Sequence, residues 1–328
     1  MSNQSIDTER ERELPLVSII TPTYNQADFL RETIESVITQ DYPRIEYLVI
    51  DDGSTDATPQ VLAEYDGRVQ WKSRENRGQT PTINEGWQRL TGDIVTWLNS
   101  DDLLLPGTVT TAVNYLNEHT DVGIVFGDTL MTEADGTAIG RSKPRAKFDY
   151  REFVLKCENP IAQPSAFIRR SVVDDVGLLD PFFYYFMDWD FWLRAGVRHK
   201  IEYFPELLST YRLHPDSKTV AQAAKAAPEL KYLYDKFFAS EDLPAWLRAI
   251  EKRAKVNMLF TSGGYYLEGG QPRQAARVAW EALRAYPAAL FDLEMMHKFF
   301  YCVFAESPIY KGGRSMFHRA RTTLSASR

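Results

Sequence analysis

Residues 95–103, VTWLNSDDL, place two adjacent carboxylates, Asp101 and Asp102, and the amide of Asn99 directly behind an apolar run. A buried carboxylate is costly unless a cation meets it. The pair therefore calls for a positive partner that the segment itself does not supply. Two more polar clusters follow apolar runs in the same way, residues 21–25 after LVSII and residues 51–56 after IEYLVI. Further on, Asn76, Arg77 and Gly78 precede a helical pattern, where backbone N–H groups and a cation suit phosphate. Asp188 and Asp190 lie in MDWDFWLR, and His214 in YRLHPDS. Acids, amides, one imidazole and backbone donors are the groups that bind hard cations and anions and move protons.

The elements that must position these groups are legible from periodicity. LVSIITPTYN (16–25) reads as a buried strand and a turn. In ADFLRETIESVITQ (27–40), Phe29, Leu30, Ile34, Val37 and Ile38 recur at helical spacing, with Asp28 as a candidate N-cap. IEYLVIDDGSTDAT (45–58) reads as a strand and an acidic turn, ATPQVLAEY as a helix and VQWKSR as a short strand. TPTINEGWQRL reads as a helix closed by Thr91 and Gly92, and DIVTWLNSDD as a strand. Alternating strands and helices specify an α/β sheet with mainly parallel strands. Ligands bind beyond the carboxyl ends of such strands, where the polar clusters fall. Residues 122–136 read as strand and turn, 163–177 as strand then helix, 187–197 as a helix and 201–214 as a strand. From about residue 221 the texture is helical, and the last pair of helices resembles a tetratricopeptide-type hairpin.

The 328 residues are enough for a sizeable core and a second unit. Apolar residues make up 44% and charged residues 25%, as in ordinary globular proteins. A formal net charge of −7 argues against general nucleic-acid binding. Cys157 and Cys302 form neither a disulfide framework nor a zinc spacing, which fits a reducing cytoplasm. The first 15 residues lack the basic and apolar regions of a signal peptide, and no run approaches the roughly 18 apolar residues of a membrane span.

Taken together, VSIITPTYNQADFLRETIESVITQDYP, YLVIDDGSTDAT, NRGQTPTINEGW, GDIVTWLNSDDLLLPG, MDWDFWLR and YRLHPDS resemble the family 2 glycosyltransferases, in that family's order, over residues 16–217. The resemblance implies an α/β fold of the GT-A type, a mixed, mostly parallel sheet flanked by helices, with a C-terminal helical appendage. The expected division is a polar extension (1–15), a GT-A domain (16–220), the appendage (221–306) and a basic tail (307–328). It implies transfer of a sugar from a UDP- or dTDP-linked donor to an acceptor hydroxyl with inversion, in surface polysaccharide or glycolipid assembly, with Mn²⁺ or Mg²⁺ as cofactor.

By the same resemblance Asp101 is the metal ligand of the family's DXD motif, with Asp102 beside it and His214 completing the shell, since imidazole suits borderline cations. Asn99 stands where the motif has its first Asp and removes one negative charge. Asp52 is expected to accept from a pyrimidine N3–H, with Pro22, Tyr24 and Asn25 around the base. Arg77, Gly78 and Asn84 complete the nucleotide set. The arginine that the family carries beside Asn84 is absent here. Asp188 aligns with the family's catalytic carboxylate and is expected to take the acceptor proton, with Met187 where Glu is common and Asp190 as runner-up. Gln163, Ser165, Trp189 and Arg212 are the expected acceptor or phosphate contacts.

The basic tail, with Lys311, Arg314, Arg319 and Arg321, offers peripheral contact with an anionic membrane. A nucleotidyltransferase would need a Gly-rich basic loop after the first strand, and TPTYNQADF has none. A catalytically degenerate protein that binds a nucleotide sugar or a partner is the alternative kept open by Asn99 and Met187.

Overall fold

The apolar runs become the strands of a single nine-stranded sheet in this computed structural model, which describes residues 14–141, 147–214 and 223–305. In chain order they are β1 (Val17–Thr23), β2 (Ile45–Asp51), β3 (Gln70–Ser73), β4 (Ile94–Trp97), β5 (Leu103–Leu104), β6 (Val122–Thr132), β7 (Ala138–Arg141), β8 (Phe167–Arg169) and β9 (Lys200–Arg212). The order across the sheet is β3-β2-β1-β4-β8-β6-β9-β5, with β7 paired to β6. The ladders β1–β2, β1–β4, β2–β3 and β6–β9 are parallel and long, whereas the antiparallel ladders pair only two or three residues each.

The helices of this unit are α1 (Ala27–Ile38), α2 (Thr58–Ala63), α3 (Gln79–Arg89), α4 (Thr108–Glu118), α6 (Arg170–Val176) and α7 (Met187–Gly196); α5 (Tyr150–Lys156) begins in it. Leu30, Ile34 and Val37 of α1 join Val17, Ile19 and Val49 of the sheet in one core, together with Val109, Val113 and Leu116 of α4. The start of α1 differs from expectation. Its cap position is Gln26, and Asp28 lies in the first turn. The first donors are met from another loop, Gln26 N by Thr58 Oγ1 and Ala27 N by Asp56 Oδ2, both at 3.1 Å. The capping groups thus come from 30 residues away, and the exchange fixes the β1 turn to the β2 turn.

Two prolines mark where ladders open. The β1–β4 register covers Val17–Ile20, and Leu98 N donates to Ile20 O at 2.9 Å. Thr23 O faces β2, where it accepts from Asp52 N, so by strand alternation Pro22 faces the β4 side. Having no N–H, it cannot extend that ladder. The sheet therefore opens between β1 and β4, where strand order reverses, the crevice in which α/β sheets hold ligands. Pro205 sits within β9 at a register shift, where Tyr203 pairs with Phe126 and Leu207 with Asp128, a bulge that needs no N–H from it.

The chain divides into two compact units, residues 1–150 with 159–215, and residues 151–158 with 216–328. The second contains α8 (Ala223–Ala239), α9 (Ala245–Glu268), α10 (Pro272–Ala285) and α11 (Leu293–Phe304). Residues 151–158 belong to it because their carbonyls are taken by helix side chains. Tyr234 Oη donates to Val154 O at 3.0 Å, Asn257 Nδ2 to Leu155 O at 2.9 Å and Thr261 Oγ1 to Cys157 O at 3.3 Å. Cys157 and Cys302 are buried free thiols. No helix among the described residues is long and apolar enough to cross a membrane. The N-terminal extension, apart from Leu14 and Pro15, and the basic tail lie outside the described residues.

Candidate active site

At the carboxyl edge of the sheet the acids differ in what already holds them. Asp52, one residue past β2, is 3% exposed. Its Oδ1 accepts from the Arg74 guanidinium and from Arg77 N at 2.9 Å, and its Oδ2 from Gly78 N at 2.8 Å. Oδ2 keeps one acceptor position for a ligand. Gly78 carries φ +94° and Gly53 φ +83°, and a Cβ on Gly53 would stand 2.8 Å from Asn76 N, so both turns require glycine to close on one another. The amides expected to suit phosphate are thus taken by Asp52, while the Arg77 side chain is exposed.

Asn25, at φ 52°, accepts from Thr55 N at 2.8 Å, and its own N–H donates to Ser54 Oγ at 2.8 Å. It clamps the first two turns together. Tyr24 beside it is 47% exposed, and Pro22 is buried. Asn84 exchanges two hydrogen bonds with the Leu179 backbone, at 2.8 and 3.0 Å, so its amide braces the loop that leads to α7.

After β4, Asn99 organises a network of amides. Its Oδ1 accepts from Gln79 Nε2 at 2.7 Å, and its Nδ2 donates to Asp102 Oδ2 at 3.1 Å and Gln163 Oε1 at 3.3 Å. Gln163 in turn donates to Trp97 O at 2.7 Å. Asp102 is 1% exposed, and its Oδ1 accepts from Arg212 N at 3.1 Å. Burial, and then the charge of Asp101, push its carboxyl well above the usual carboxylate range. An amide at position 99 spares this buried acid a second like-charged neighbour.

Asp101 turns the other way and stands with Oδ2 3.0 Å from His214 Nε2. Phe29 of α1 holds this corner, its ring 5.0 Å from that of His214 and 4.7 Å beneath the Arg212 guanidinium. Arg212 is 4% exposed and committed to Glu32 at 2.5 Å and Ala134 O at 3.0 Å. Among the described residues no group of three or more His, Cys, Asp or Glu side chains is set to hold a metal ion. The Asp101–His214 pair nevertheless fits one. An oxygen and an imidazole nitrogen 3.0 Å apart have the spacing of neighbouring ligands on one cation with bonds of ~2.1 Å.

On α7 the two acids differ in their partners. Asp190 is 2% exposed and locked to Arg194 at 2.8 Å, which also holds Val176 O and Leu178 O. Asp188 is half-buried and meets Asn159 Nδ2 at 3.4 Å. The protein around it desolvates the carboxyl and pushes it up to about 6. Met187 receives the Thr80 hydroxyl on its sulfur, and Trp189 packs edge-on against Phe186 at 5.2 Å. Ser165 is fully buried, its single hydroxyl proton shared between Gly127 O at 2.8 Å and Ala162 O at 2.7 Å.

Arg74, Gln79 and Asn159 were not singled out from sequence. Arg74 had a signal, since it ends the β3 run at the ligand edge. The two amides had none, because their value lies in contacts 20 and 29 residues away.

Comparison with known proteins shows what the chain is similar to. Residues 18–177, just under half of the chain, match the family model described as Glycosyl transferase family 2, and the chain is similar to that family over this segment. It is 29% identical over 229 residues to the uncharacterized glycosyltransferase RT0329 of Rickettsia typhi, covering 68% of this chain and 71% of that one. Among solved structures it is similar to Staphylococcus aureus TarS 1–349 in complex with UDP-GlcNAc, with TM-score 0.64, 18% identity and coverage of 91% and 92%. It is also similar to the mannosyltransferase PcManGT of Pyrobaculum calidifontis in complex with GDP-Man and Mn²⁺, with TM-score 0.57, 19% identity and coverage of 99% and 94%. These likenesses establish the GT-A fold.

Proposed function

We propose that the chain transfers a sugar, with inversion, from a UDP- or dTDP-linked donor to an acceptor hydroxyl, and that Asp188 is the general base. One observation carries the reading. Asp188 is desolvated and pushed up to about 6 with no ion-pair partner among the described residues, whereas Asp102, also pushed up, already accepts on both oxygens. A base works best with a pKa near the working pH. Asp188 takes the acceptor proton as the acceptor oxygen attacks C1 from the face opposite the diphosphate. Asp190 is excluded from this role by Arg194.

The open acceptor position of Asp52 Oδ2 suits a pyrimidine N3–H, and Arg74 and the two amides fix its direction. TarS, solved with UDP-GlcNAc, supports the uridine choice. Tyr24 offers its exposed ring to the base. Asp101 and His214 are the residues that would hold a divalent cation, and the similar PcManGT is solved with Mn²⁺. A divalent cation bound there supplies charge stabilisation for the leaving diphosphate. Asp102, with both oxygens already accepting, ties Asn99 to β9 and so carries His214 to Asp101.

The resemblance supports an acceptor from surface polysaccharide or glycolipid assembly. Peripheral membrane attachment at the cytoplasmic face is supported by Phe291 and Leu293, exposed by 91% and 90% in the helical unit, together with the basic composition of residues 307–328.

Thermal stabilisation by nucleotide diphosphates tests the donor site. A ligand at 100 times its Kd adds ~2.7 kcal/mol. UDP or dTDP with Mn²⁺ should raise the melting temperature, and Asp101→Asn should remove the Mn²⁺ dependence. Absence of any shift at several millimolar nucleotide would favour the degenerate binding protein instead.

A further inference from the structure

The loop before the proposed base displays aromatic rings from a rigid frame. Phe182 and Tyr184 are 60% and 50% exposed, while Leu179, Phe183 and Phe186 between and beside them are at most 3% exposed. The frame is pinned at each step. Leu179 is held on both backbone groups by Asn84. Asp180 accepts from Phe182 N at 2.9 Å through Oδ1 and from Phe183 N at 3.1 Å through its carbonyl. Phe183 O accepts from Thr80 Oγ1 at 3.3 Å. Each of these anchors is on α3 or within the loop, so the rings are presented by packing and hydrogen bonds rather than by chance of a loose turn. Exposed large apolar groups on a fixed frame mark binding surfaces.

We propose that Phe182 and Tyr184 form the platform on which a neutral sugar ring of the acceptor stacks, an inference that rests on the reading of Asp188 as base. Tyr184 is four residues from Asp188, so its backbone lies at most ~14 Å from it, within the span of a short oligosaccharide. The charge pattern selects the occupant. Residues 178–189 contain Asp180 and Asp188 and no Lys, Arg or His, while Asp190 is buried against Arg194. That surface repels a phosphate-rich acceptor at this subsite. It accepts sugar hydroxyls through its acids, while the negative ring faces attract the positive C–H edge of a pyranose.

Saturation-transfer NMR on the full chain with UDP present provides the test, using the methyl glycosides of glucose, galactose, mannose, rhamnose and N-acetylglucosamine as probes. At least one glycoside should receive saturation from wild type. Phe182→Ala and Tyr184→Ala should each weaken its binding about tenfold, with Tyr184→Phe close to wild type and the UDP thermal shift unchanged in all three. Sugar binding that is equal in wild type and both alanine variants overturns the proposal, as does a wild type that contacts none of the probes. Loss of the UDP shift from wild type itself, or full turnover in Asp188→Asn, would instead strike the functional reading on which the platform rests.

Discussion

Replacing Asp188 by Asn should separate stability from catalysis in opposite directions. The carboxyl is pushed from 3.8 to about 6 by desolvation, roughly two units, and each unit is worth ~1.4 kcal/mol. The ionised side chain therefore costs the folded state up to ~3 kcal/mol. Partial exposure of Asp188 reduces this, and a gain of ~1–3 kcal/mol is expected from a neutral amide. Below about pH 4 the carboxyl is protonated in folded and unfolded chains alike, and the substitution should be silent. Between about 4 and 6 the unfolded chain ionises while the folded chain keeps its proton, so wild type loses stability as pH rises. Above about 6 wild type carries the whole cost, and the advantage of Asp188→Asn reaches its plateau. Urea unfolding at pH 4.5 and 7.5 reads the difference. Turnover, followed as UDP release from UDP-sugars with glycoside acceptors, should fall ~10²–10⁴-fold at the same time. Wild-type kcat/KM should lose about tenfold per pH unit below about 6. A variant that is less stable than wild type at pH 7.5, or that turns over at the wild-type rate, would refute the assignment.

Two further substitutions probe the edge. Arg74→Met removes the cation shared by Asp52 and Glu85; stability should drop by ~2–4 kcal/mol and donor KM should rise with kcat little changed, so equal losses in kcat and kcat/KM would show that Arg74 does not act through the donor base. Asn99→Asp would set a second carboxylate at the 3.1 Å contact with Asp102 and delete the donor to Gln163; a loss of ~1–3 kcal/mol in urea unfolding is expected, and unchanged stability would show that the amide is not what shields Asp102.

Much of the edge was legible because strand and helix periods place residues without reference to the rest of the chain. The rule that polar groups at strand ends face the ligand crevice selects Asp52 and Asp101. The rule does not say which oxygen is already in use. Asp101 and Asp102 are alike in residue type and ranked only by the family resemblance, and in the fold one meets His214 while the other is consumed by Arg212 N and Asn99. Asp188 and Asp190 divide in the same manner through Arg194. Asn84, read as a nucleotide contact, is spent on Leu179, and Ser165, read as an acceptor contact, is sealed under Gly127.

The sequence by itself determined the alternation of strands and helices, the edge at which polar groups gather and the family that the chain resembles, because apolar periodicity and short motifs are local properties. Tertiary structure decided which of two neighbouring acids is available, that residues 151–158 join the helical unit, and that aromatic rings stand exposed before Asp188. Each of these depends on partners tens of residues away, such as Arg212 for Asp102, Asn257 for Leu155 and Asn84 for the loop at Leu179. The desolvation that moves the Asp188 carboxyl likewise exists only in the folded chain.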